Sequence, residues 1–107
     1  MQREDGRNPG NGYCIQILTI DGQAHQDIAQ KSFYIENISR GGFRFIATIS
    51  LEIDNQLQVM LRFPDDRTEE VLGRICYCDE SIEGDGVAYG FSVIDGFYQL
   101  VSKTAAR

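Results

Sequence analysis

Hydrophobic and polar residues alternate in short runs along most of this chain, and each run stops at a turn signal. Tyr13, Ile15 and Ile17 interleave with Cys14, Gln16 and Leu18, which predicts a strand that starts near Tyr13 and is buried largely on both faces. Asp21-Gly22 closes it. The polar stretch 22–31 reads as a short connection. Ser32 to Ile38, rich in Phe, Tyr and Ile, predicts a second strand, broken by Gly41-Gly42. Phe43, Phe45 and Ala47 share one face of a third, Phe43 to Thr48. The fourth alternates most cleanly, with Leu57, Val59, Leu61 and Phe63 on one face and Gln58, Met60 and Arg62 on the other. Pro64-Asp65-Asp66 ends it, and Asp65 to Glu70 reads as a solvated hairpin connection. A fifth strand, Val71 to Cys78, and a sixth, Val87 to Ile94, flank the loop Glu83-Gly84-Asp85-Gly86.

After Asp95-Gly96 the period changes. Phe97, Leu100, Val101 and Thr104 sit at helical spacing behind Asp95 as N-cap, which predicts a short carboxy-terminal helix. Six short strands with tight turns, then a helix, predict an all-β domain: a small antiparallel barrel or a sandwich. Residues 1–11 are polar and rich in Gly and Asn, and read as a flexible amino-terminal arm before a domain spanning 12–107. One conflict stands in the pattern. Strict alternation gives Asn37 and Ser39 the parity of the apolar Phe33 and Ile35. A bulge near Glu36, or an early end to the strand, resolves it.

Composition narrows the function. The formal net charge of −6 argues against a general DNA or RNA binder, which carries a basic face. It still leaves room for one small anion held by local arginines, and eight of the ten basic residues are Arg. No apolar run approaches the roughly 20 residues of a membrane span, and the first residues lack the apolar core of a signal peptide. A cytoplasmic location without membrane insertion is the expectation. Cys14, Cys76 and Cys78 read as reduced thiols near the core. His25 is the sole histidine and there is no CxxC pair, so neither a zinc shell nor a Cys–His nucleophile is expected. A small barrel enzyme would have to use loop acids such as Asp79, Glu80 and Asp85, which form no convergent acid–base set. The chain is therefore expected to be a non-enzyme without a cofactor or metal.

Two short motifs carry chemistry. In Asn37-Ile38-Ser39-Arg40-Gly41-Gly42, an Asn and a Ser two residues apart offer an amide and a hydroxyl on one side of an extended chain. The glycines beyond them let a backbone or ligand approach closely. In Arg3-Glu4-Asp5-Gly6-Arg7, two guanidinium groups on a mobile segment suit a dianion or a guanine edge, with Glu4 and Asp5 partly cancelling their field. Arg40-Gly41-Gly42-Phe43-Arg44 repeats the RxxxR spacing, so order along the chain must discriminate.

With RxxxR ahead of the first strand and [D/N]xSxxG at the turn after the second, the chain resembles the PilZ domain family. Leu57 to Phe63, Gly73-Arg74-Ile75-Cys76 and Tyr89-Gly90-Phe91-Ser92-Val93 resemble the family's central and closing strands, with Val93 where Phe is common. The resemblance implies a six-stranded antiparallel β-barrel of split-barrel type, and a receptor or adaptor for the bacterial second messenger cyclic di-GMP. It implies that Arg3 and Arg7 contact phosphates and guanines, that Asn37 and Ser39 bond a guanine edge, and that Gly42 permits the close turn. Arg40 and Gly41 would line the site. Ligand binding would order the arm and make a surface for a protein partner of unknown identity. The alternative is a PilZ-like interaction module that binds no nucleotide.

Overall fold

Alternating apolar side chains need a common interior, and a barrel supplies one without leaving open edges. The computed structural model describes residues 8–80 and 84–94. Its elements are β1 (Asn8–Pro9), β2 (Cys14–Ile20), a one-turn helix α1 (Gln26–Ala29), β3 (Phe33–Ser39), β4 (Gly42–Ala47), β5 (Gln56–Arg62), β6 (Thr68–Asp79) and β7 (Val87–Val93). Strands run in the order β3-β2-β5-β6-β7-β4, all antiparallel, and β4 pairs back onto β3. That pairing closes a six-stranded barrel, as the resemblance implied. The carboxy-terminal helix expected from Asp95 onward lies outside the described residues, as do Arg3 and Arg7.

The interior is the inner face of every strand. Ile15, Ile17, Ile38, Phe45, Leu57, Val59, Leu61, Phe63 and Ile75 are fully enclosed. Phe43 stacks on Phe91 with ring centroids 4.5 Å apart, and Phe45 meets Phe43, Phe33 and Tyr89 at tilted angles. Offset and edge contacts of this kind add to the area that the rings bury. The Tyr89 hydroxyl donates to the Ile49 carbonyl (2.8 Å) and accepts from the Leu51 amide (2.9 Å), pinning the loop after β4 to the core. Burial pushes the Tyr89 hydroxyl pKa up. At the other end of that loop, Asp21 accepts from the Gln56 amide and the Asn55 side chain, tying the β2 turn to β5.

The strand pattern departs from strict alternation in instructive places. The outward residues of β2, Cys14, Gln16 and Leu18, are only half-buried, so this strand is buried on one face rather than both. Stretch 22–31 contains α1, whose Ile28 packs against the core and whose Ala29 carbonyl accepts from Gln16. β6 starts at Thr68, so half of the acidic connection is strand, with Glu69 and Glu70 paired to Leu61 and Met60. Among the described residues, pairing starts at Asn8, five residues before Tyr13. β1 has no periodicity for a pattern reading to detect, because it is two residues long and one is Pro.

Candidate functional site

Two bulges shape the outer face beside the Asn37 motif. The β3–β4 register slips between Ile35 and Asn37, which leaves Glu36 as the extra residue. The conflict in the sequence pattern is resolved by the bulge, not by an early strand end. Phe33 and Ile35 point inward, the parity then flips, and Ile38 becomes the buried residue. Asn37 and Ser39 therefore face outward, roughly 7 Å apart along the strand, and both are half-buried. The β6–β7 register slips in the same way between Ile75 and Tyr77. Cys78 turns in to pack on the core, where burial pushes its thiol pKa up, and Tyr77 turns out.

The registers then define two rows across the outer wall. One runs Asn37 on β3, Arg44 on β4, Gly90 on β7 and Tyr77 on β6. The next runs Ser39, Gly42, Ser92 and Arg74. In the first row the Tyr77 ring lies across Gly90, where any β-carbon would collide with it. In the second, a β-carbon at Gly42 would collide with the Phe91 carbonyl oxygen. The resemblance assigns Gly42 to a close turn. The structure adds that the turn itself is Arg40-Gly41, with Arg40 exposed, while Gly42 opens β4 and lets β7 approach. The Ser39 hydroxyl lies 3.5 Å from the Gly42 carbonyl, at the limit of a hydrogen bond.

Arg44 joins the first row. Its Nε donates to the Glu36 carboxylate, Nη1 to the Tyr77 hydroxyl (3.3 Å) and Nη2 to the Asp79 carboxylate (3.1 Å). Its guanidinium carbon sits 5.8 Å from the Tyr77 ring centre. The Tyr77 hydroxyl and the Glu36 carboxylate, reinforced by Asp79, hold its pKa above the ordinary arginine value, against a smaller lowering by burial. Pattern reading singled out Arg44 only as a false RxxxR match, and it gave Tyr77 no role. No sequence signal marked Tyr77: an unbroken β6 would bury it beside Ile75, where a tyrosine is acceptable.

β1 meets the same strand from its other side. Pro9 pairs with Asn37 and Asn8 with Ile38, and the Gly10 amide donates to the Glu36 carbonyl. The end of the arm is thus laid along the motif. A separate groove of about 690 Å3 opens where β3 and β4 diverge, lined by residues 31–36 and 46–48, with Tyr34 79 % exposed on its rim. Its walls are mainly apolar, and Glu36 is its one residue in common with the Arg44 cluster. Among the described residues, no cluster of His, Cys, Asp and Glu could hold a metal ion, and no helix is long and apolar enough to cross a membrane.

A strand–turn–strand bearing N-x-S-x-x-G on the wall of a closed six-stranded barrel is the decisive combination, and the PilZ domain model matches residues 13–96. The chain belongs to the PilZ domain family. PilZ domains are known cyclic di-GMP-binding modules, receptors or adaptors rather than enzymes. Comparisons with curated proteins and with solved structures return no match. The PilZ match starts after the RxxxR segment, so the place of Arg3 and Arg7 in this chain rests on motif order alone.

Proposed function

We propose that this PilZ domain is a receptor for cyclic di-GMP that binds its ligand on the outer wall around Asn37 and Ser39, without a cofactor, and transmits binding to a protein partner. The observation that carries this reading is the register of β1. It pairs Asn8 with Ile38 and Pro9 with Asn37, and Arg7 immediately precedes Asn8 in the sequence. The chemistry agrees with the ligand. Cyclic di-GMP is a dianion with two purines. It calls for arginine forks on phosphate and on guanine edges, amide and hydroxyl partners for a base edge, and flat surfaces for stacking. Arg3 and Arg7 supply the first, Asn37 and Ser39 the second, and the ring of Tyr77 offers the third.

The reading is tested by titration calorimetry with cyclic di-GMP on the natural chain and on Arg7→Ala and Ser39→Ala. Binding by the natural chain is expected, weakened about tenfold or more in Arg7→Ala, which loses a charged hydrogen bond of ~1.5–3 kcal/mol, and several-fold in Ser39→Ala, which loses a neutral one of ~0.5–1.5 kcal/mol. No heat at high micromolar ligand, or variants that bind like the natural chain, would sink it. A second reading, an interaction module that binds no nucleotide, is favoured by the apolar groove beside Tyr34 and would be left standing by a silent calorimeter.

A further inference from the structure

The two bulges and the arginine between them carry a further inference. Without its bulge, β3 would turn Asn37 into the core; without its bulge, β6 would do the same to Tyr77. Bulges persist only where the surroundings hold them, because each disrupts a stretch of ladder. Here one side chain reaches both. Arg44 stands on β4, bonds the extra residue Glu36 of the first bulge, and bonds Tyr77 and Asp79 just beyond the second. Its two ion pairs join three strands, and its side chain is only 22 % exposed. A rigid planar fork presents Nε, Nη1 and Nη2 at separate points, whereas the three donors of a lysine ammonium share one atom and cannot reproduce that span.

We infer that Arg44 is a positioning residue of the candidate ligand site: it clamps the Glu36 and Cys76 bulges to each other and so presents Asn37 and Tyr77 on one outer face. Its charge is already matched by two carboxylates, so it acts through these neighbours and not as a phosphate contact. The inference rests on the cyclic di-GMP reading for its functional consequence, but the geometry of the clamp is independent of any ligand.

The experiment compares Arg44→Lys and Arg44→Gln with the natural chain, first without ligand and then by calorimetry with cyclic di-GMP at low and high salt. Circular dichroism confirms that each variant is folded, and the lysine variant serves if the glutamine one is not. In ligand-free 1H–15N spectra, both variants are expected to shift the Asn37 side-chain amide and the backbone amides of residues 36–38 and 76–78. Both are expected to weaken binding by about tenfold; Arg44→Lys, which keeps the net charge, by the same factor at low and high salt, and Arg44→Gln, which leaves Glu36 and Asp79 unmatched beside a dianion, by more at low salt. Lysine is expected not to rescue. Natural affinity in Arg44→Lys would overturn the inference, as would a loss in that variant confined to low salt, since either assigns the effect to charge alone. If the natural chain itself does not bind, the ligand reading fails, and the ligand-free spectra decide the clamp: unchanged amides in both variants overturn it.

Discussion

Single side chains in this protein do work that their neighbours on the chain do not reveal. Tyr89 is the clearest. Its hydroxyl satisfies one backbone donor and one backbone acceptor of the loop after β4, so Tyr89→Phe leaves the Leu51 amide and the Ile49 carbonyl without that partner. Buried groups stripped of a partner cost ~1–3 kcal/mol, and urea unfolding of Tyr89→Phe is expected to show a loss in that range. The same residue sets an alkaline limit. Burial raises its pKa above the ordinary value, so the folded protein holds the phenolic proton more tightly than the unfolded chain does. Stability is then complete below about pH 10 and falls as pH rises from there through the folded value. Cys78, also raised by burial, adds a decline that starts at lower pH. Thermal melts over the alkaline range are expected to fall less steeply in Tyr89→Phe than in the natural chain.

At the scale of elements, the six barrel strands were legible because each keeps an apolar face over several residues. The sequence also held the evidence for the β3 bulge, because Asn37 and Ser39 had the wrong parity for a straight strand. The β6 bulge left no such mark: Cys76, Tyr77 and Cys78 are all acceptable in a core, so no residue was out of place. β1 and α1 were invisible for another reason. They are too short to have a period, and they exist because β3 and β2 offer them partners. The site divides along the same line. Asn37, Ser39 and Gly42 are legible because a local motif carries them, whereas the Arg44 cluster joins β3, β4 and β6 and has no local signature. Gly42 shows how an element can constrain a motif residue. Ala at this position would push against the Phe91 carbonyl of β7, and overpacking costs typically ~1–3 kcal/mol. Gly42→Ala is therefore expected to lower the urea midpoint, and a chain that unfolds like the natural one would show that β7 can yield.

The whole molecule is a closed wall with one composite stave. β2 covers β3 at Phe33 and Tyr34, the Tyr13 carbonyl and Gly10 amide bond Ile35 and Glu36, and beyond that point the same edge is covered by β1 at Asn37 and Ile38. A strand edge left bare invites pairing with another chain, and here the cover is two residues long and ends in a proline that offers no amide. Asn8 and Pro9 are therefore expected to guard this edge against self-association. A chain shortened to begin at Gly10 would lose the arginines and uncover Asn37 and Ile38 together. It is expected to form dimers or larger species in light scattering at concentrations where Arg3→Ala/Arg7→Ala stays dispersed. Equal behaviour of the two would show that the β3 edge protects itself. If they differ, a loss of binding on truncation reports crowding between copies as much as missing cations, and the work of the arginines has to be read from point substitutions in the full arm.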